Sequence, residues 1–231
     1  IATNKDGVIL IQAEDANGNI TNNLLLPVEF SVYPVAENSD DTVKISADDA
    51  EQELAAVILV PDMSQGAQSG SLIEAEDGTV IEWELTEGNG TISTQQTTTT
   101  DGVAVTTLTI STTPGDTYKI EAKVTTLKWN GDSFDLGDTG LVAESDLLEV
   151  VPGKAATIEV IKSKVEYSSD ATDEVEIEIT VKDQHENLLE DRTPVTWILD
   201  KSTGGFAKNE EGEEQIQSEL INGKAKVSLR A

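Results

Sequence analysis

Thr79-Val80-Ile81-Glu82-Trp83 and Thr193-Pro194-Val195-Thr196-Trp197 decide the fold, because one segment is written twice, with tryptophans at 83 and 197. The match runs on into Gly88-Asn89-Gly90-Thr91 against Gly204-Gly205-Phe206. Further along, Asp101-Gly102 and Asn222-Gly223 each precede a strand-like run, and Val32-Tyr33-Pro34 matches Val150-Val151-Pro152. The spacings agree on a repeat of about 115–120 residues, so the 231-residue chain holds close to two periods.

Strand patterning extends outward from these segments. Val175, Ile177, Ile179 and Val181 alternate with Glu176, Glu178 and Thr180, the period of a half-buried strand. Tyr118, Ile120, Ala122 and Val124 alternate in the same way, as do Val103 and Val105. Between such runs stand the turn clusters Asp15-Ala16-Asn17-Gly18, Asn89-Gly90, Asp101-Gly102, Pro114-Gly115, Asn130-Gly131 and Asn222-Gly223. Short strands with turns every roughly 8–12 residues predict an all-β sandwich or barrel. No stretch has the period of an amphipathic helix, and the Thr97–Thr100 run favours strand.

Composition narrows the function classes. Aromatic residues make up 4% of the chain, which leaves one or two large core anchors per domain. There are 44 acidic and 15 basic residues, a net charge of −29. Nucleic acid and anionic membrane both select Lys and Arg, so neither is an expected partner. The charge serves solubility by self-repulsion, and it offers the carboxylate oxygens that Ca²⁺ prefers. Cysteine is absent, which excludes disulfides and thiolate sites. The longest purely apolar run, Ala55 to Val60, is far short of the roughly 20 residues that span a bilayer. The chain starts at Ile1 without a signal-peptide pattern and is expected to be a piece of something longer.

The repeat also places the expected boundaries. Residues 35–151 read as one whole sandwich and residues 152–231 as a second that lacks its last strands. Residues 1–34 read as a terminal strand pair, since Thr3 to Ala13 resembles Thr113 to Ala122 and Leu24 to Tyr33 resembles Ala143 to Val151. A competing alignment sets Val8 to Asn19 against Val175 to Asn187, which makes residues 1–34 the front of a domain instead. On the first alignment, Thr3 to Glu14 and Leu24 to Tyr33 are expected to fill the Val151–Ala231 sandwich of the next copy. That strand addition would be head-to-tail and would build an open filament. The same contacts arise if the chain is one period of a longer polypeptide.

A family resemblance rests on four motifs. They are Val151-Pro152-Gly153-Lys154-Ala155-Ala156-Thr157-Ile158, Thr180-Val181-Lys182-Asp183-Gln184, Thr193-Pro194-Val195-Thr196-Trp197 and Asn222-Gly223-Lys224-Ala225. Together they resemble the invasin/intimin-type (group 1) bacterial immunoglobulin-like domain. The middle domain keeps the pattern more loosely, with Pro61-Asp62 in place of Lys182-Asp183 and a longer loop from Met63 to Glu76. The resemblance implies tandem immunoglobulin-like β-sandwich domains on a bacterial surface or extracellular fibre, as stalk or adhesin modules with no catalytic residues. The motifs are turns and core anchors, so they specify fold better than function. Neighbouring copies of the chain, a host or surface receptor, or a glycan are the expected partners. The rival readings are a carbohydrate- or ligand-binding module and an accessory region of a larger secreted enzyme.

Individual residues divide along the same lines. Trp83 and Trp197 are expected core anchors, given their alternating flanks. Trp129, before the Asn130-Gly131 turn, is a candidate partner contact or a lid packed over a hairpin. His185 is the only histidine, and no hydrolytic triad is recognisable around it. With 44 acids in the chain, no glycosidase-type carboxylate pair stands out. Glu37, Asp40, Asp41, Asp48 and Asp49 gather near the expected domain junction and are candidate Ca²⁺ ligands, although no loop matches a full Ca²⁺ signature. No other cofactor is expected.

Overall fold

The computed structural model describes residues 5–14, 20–35, 42–62, 71–137, 140–162, 174–198, 205–206 and 217–230, and the chain divides into two units. Unit 1 comprises Ile1–Ile45, Asp49–Ser111 and Gly115–Val150, and unit 2 comprises Ser46–Asp48, Thr112–Pro114 and Val151–Ala231. Among the described residues, no helix is long and apolar enough to cross a membrane.

Unit 1 carries β1 (Lys5–Glu14), β2 (Ile20–Tyr33), β3 (Val43–Ser46), β4 (Glu51–Pro61), β5 (Leu72–Glu74), β6 (Val80–Glu87), β7 (Thr91–Ile92), β8 (Gln96–Thr98), β9 (Val103–Thr109), β10 (Thr117–Trp129), β11 (Asp132–Asp135), β12 (Val142–Glu144) and β13 (Leu148–Val151). One sheet has the order β1-β2-β4-β9-β7, with β5 also on β4. The other has the order β3-β13-β10-β6-β8, with β11 and β12 also on β10. The period-two pattern sends one side of each strand inward. Leu54, Ala56, Ile58 and Val60 of β4 are wholly buried, and so are Ile120, Ala122 and Val124 of β10. Val28, Phe30 and Val32 of β2 complete this core at 1–2% exposure.

That placement of β2 corrects the expectation for residues 1–34. Its residues Glu29 to Tyr33 pair antiparallel with Leu59 to Ala55 of β4, so β2 is built into unit 1. Its other edge pairs with β1, from Lys5↔Phe30 to Glu14↔Ile20. The physical reason is the alternation Val28-Phe30-Val32, which supplies the apolar row that the inner face of β4 requires. Leu24 to Tyr33 is therefore not a free strand for a neighbouring copy, and the strand-exchanged filament has lost its donor.

Unit 2 carries β14 (Thr157–Lys162), β15 (Glu174–Lys182), β16 (Pro194–Thr196), β17 (Gly205–Phe206), β18 (Gln217–Glu219) and β19 (Lys224–Arg230). Its four-stranded sheet runs β14-β15-β19-β17, the same order as β2-β4-β9-β7. Its second sheet, β16-β18, corresponds to β6-β8. Counterparts of β10 and β13 are not found among the described residues of unit 2. Ile179, Val181, Leu220 and Ala225 form the core, with Leu189, Val195 and Trp197 packed against it.

The edge strands show the consequence of the smaller second sheet. Ile158 and Val160 of β14 pair with Val181 and Ile179, which puts them on the inward face of the sheet. They are nevertheless 61% and 56% exposed, whereas the corresponding row of β2 is buried.

Candidate functional site

Entry to the tryptophan strand is built alike in the two units. In unit 1, Thr79 Oγ1 donates to the Glu76 carbonyl at 3.1 Å, and the Asp101 N–H donates to Asp77 Oδ1 at 2.8 Å. In unit 2, Thr193 Oγ1 donates to the Glu190 carbonyl at 2.8 Å, and the Asn222 N–H donates to Asp191 Oδ1 at 2.6 Å. The sequences Glu76-Asp77-Gly78-Thr79 and Glu190-Asp191-Arg192-Thr193 thus use the same atoms for the same bonds. The third residue has positive φ in both, 85° at Gly78 and 66° at Arg192. Glycine takes that conformation without cost and arginine does not.

The tryptophans extend the correspondence. Ile81, two residues before Trp83, lies opposite Thr97, and the indole N–H of Trp83 donates to Thr97 Oγ1 at 2.7 Å. Val195, two residues before Trp197, lies opposite Ser218, and the indole N–H of Trp197 donates to Ser218 Oγ at 2.7 Å. A buried indole needs such a partner. Trp83 is 3% exposed, while Trp197 is only half-buried beneath the smaller second sheet. Sequence reading found both tryptophans but not the hydroxyls, which sit in weakly patterned strands.

Trp129 is a core residue and not a partner contact. It is 6% exposed, its N–H donates to the Pro61 carbonyl at 3.0 Å, and its ring meets Phe134 at 6.2 Å between centroids. A register shift between Val124 and Thr126 explains why. The buried row of β10 is even-numbered through Val124 and odd-numbered from Leu127, so Trp129 turns inward. The Met63–Glu76 loop, the other expected contact surface, lies partly outside the described residues.

The acidic candidates do not converge. Glu37, Asp40 and Asp41 lie outside the described residues. Among the described residues, no three His, Asp or Glu gather in a way that would hold a metal. Asp49 is exposed. Asp48, within unit 2, spends Oδ2 on the Lys154 N–H at 2.7 Å, and its buried Oδ1 lies 3.8 Å from His185 Nε2. Asp48 and Asp49 alone fall well below the six to eight oxygens Ca²⁺ takes.

Asp183, which sequence reading used only as a motif letter, is a fully engaged carboxylate. It is wholly buried. Its Oδ1 accepts from the backbone N–H groups of His185 (2.8 Å) and Asn187 (2.9 Å). Its Oδ2 accepts from the Gly153 N–H and from Asn187 Nδ2, both at 2.9 Å. Burial pushes its pKa up, but the bonds from Asn187, Gly153 and His185 more than offset this and leave it below the ordinary value. The carboxylate fixes the turn after β15 and has no capacity left for a substrate.

A groove of about 820 Å³ crosses the outer side of β6 and β10, lined by Glu82, Glu84, Gln95, Gln96, Glu121 and Lys123 among others. Glu84 lies directly opposite Glu121, which is opposite Glu144 on its other side. Lys119 pairs with Glu144 at 2.9 Å. Like charges set side by side suit a solvated face.

These sheets define a class, the all-β immunoglobulin-like sandwich. The order β2-β4-β9-β7 facing β13-β10-β6 is that of a seven-stranded immunoglobulin-like domain. No protein-family model and no curated protein matches the chain. Among solved structures, the D0–D1 domains of intimin are similar over 82% of this chain and 80% of that one, at 17% identity and a TM-score of 0.32. FdeC, an Escherichia coli adhesin, is similar over 97% of this chain and 65% of that one, at 17% identity and TM-score 0.39. A glycosyl hydrolase family 2 member from Bacteroides cellulosilyticus is similar over 89% of this chain and 25% of its own, at 14% identity and TM-score 0.27.

Proposed function

We propose that the chain is a structural and adhesive region of immunoglobulin-like modules from a bacterial surface or extracellular protein. The observation that supports this reading is the recurrence of one constellation, Glu-Asp-x-Thr followed by a hydroxyl-bonded tryptophan, in both units. Its polar atoms are spent on holding strands together. Such a chain acts as a spacer whose outer faces are free to vary toward a receptor. Its charge of −29 keeps crowded copies apart and limits binding to partners without a dense negative surface.

In the same reading, residues 152–231 are the front of a second sandwich, and strands like β10 and β13 cover its β14 row in the working protein. The 61% and 56% exposure of Ile158 and Val160, against the buried row of β2, supports this.

Beads coated with the chain test the adhesive part on host cells, matrix proteins and a glycan array. Saturable retention on one of these surfaces is expected. Retention no greater than that of uncoated beads on all three would contradict adhesion and leave only the spacer role.

A further inference from the structure

Three Asn-Gly pairs lie among the described residues, at Asn89, Asn130 and Asn222, and their surroundings differ. Asn130-Gly131 is the two-residue turn between β10 and β11, closed by the pair Trp129↔Asp132, with φ of 54° and 81°. Both residues are exposed, and a Cβ built on Gly131 would meet nothing within 4 Å. The Gly131 N–H donates to Glu76 Oε1 at 2.9 Å. At Asn222-Gly223 the φ values are similar, 52° and 68°, but the glycine is buried against Leu188. There the carboxylate, Asp191, takes the N–H of the asparagine and not that of the glycine. Gly90 is crowded by the Thr109 carbonyl and Leu108.

We propose that Asn130 is a site of intramolecular deamidation, with Glu76 as the base that activates the Gly131 nitrogen. The carboxylate lies within the reach a general base requires of the proton it removes. The Gly131 nitrogen attacks Cγ of Asn130, and its proton passes to Glu76. The N–Cγ bond forms, the Cγ–Nδ2 bond breaks, and the proton leaves with Nδ2 as ammonia. Water then opens the succinimide at either carbonyl, giving aspartate or isoaspartate. No electrons are gained or lost, and water is the sole co-reactant. The isoaspartate product lengthens the backbone by one carbon inside a two-residue turn, where register is fixed by loop length. The hairpin that carries Trp129 and Phe134 would loosen, and a new negative charge would stand beside Glu76.

Peptide mapping by mass spectrometry after incubation of the folded chain at neutral pH tests this. Asn130 should deamidate severalfold faster than Asn89 and Asn222. Glu76→Gln keeps an acceptor for the Gly131 N–H but removes the base, and it should slow Asn130 severalfold while leaving the other two unchanged. In denaturant the three sites should react at similar rates, so that the fold accounts for the difference. If Asn130 is no faster than Asn222, the site is wrong. If Glu76→Gln leaves the rate unchanged, or Glu76→Ala raises it, the hydrogen bond only braces the turn and the proposal fails.

Discussion

Asp183 shows how one carboxylate holds a turn. Its four hydrogen bonds come from residues spread between Gly153 and Asn187, and removing it leaves three backbone N–H groups without an acceptor. Asp183→Ala should therefore destabilise unit 2 by about 3 kcal/mol, read from denaturant melts. The pH dependence follows from the lowered pKa. The contribution is full above the unfolded-state value of about 4 and is lost as pH falls through the folded value. Acid titration of the wild type and of Asp183→Asn should show the mutant losing less stability over that range. Trp83 belongs to the same scale. Trp83→Ala should cost about 3–5 kcal/mol as a large core truncation, and Thr97→Val about 1 kcal/mol for the lost hydrogen bond.

At the scale of elements, β2 and β14 make opposite predictions from similar sequences. Phe30→Ala should destabilise unit 1 by about 3–5 kcal/mol because β2 is part of its core. Ile158→Glu should change the stability of this chain by no more than about 0.5 kcal/mol, because its side chain faces solvent. Thermal melts of the two variants decide both. The contrast also marks how far the sequence could be read. Alternation identified β6, β9, β10 and β15, since a period of two is a local signal. It could not name the partner of a strand, because many strands share the same period, and so β2 was assigned to the wrong sandwich. The β10 bulge inverted the parity that would have left Trp129 outside. The acceptor roles of Asp77 and Asp191 were not legible, because their partners Asp101 and Asn222 lie more than twenty positions away.

The whole molecule is governed by its charge and its repetition. With a net charge of −29, self-repulsion opposes the compact state, so moderate salt should raise the melting temperature by screening. Lowering the pH toward the isoelectric point near 4.1 removes that repulsion, and light scattering should then report association. Repetition is the stronger claim, because it joins the Trp83 and Trp197 segments, their turns and their sheet orders in one architecture. Indole N–H resonances of the ¹⁵N-tryptophan-labelled chain test it most directly. Thr97→Val should shift one indole signal, and Ser218→Ala should shift a different one, with the third unmoved in both variants. A Ser218→Ala spectrum that leaves all three indoles in place, or one that moves the signal shifted by Thr97→Val, would contradict the equivalence of the two units.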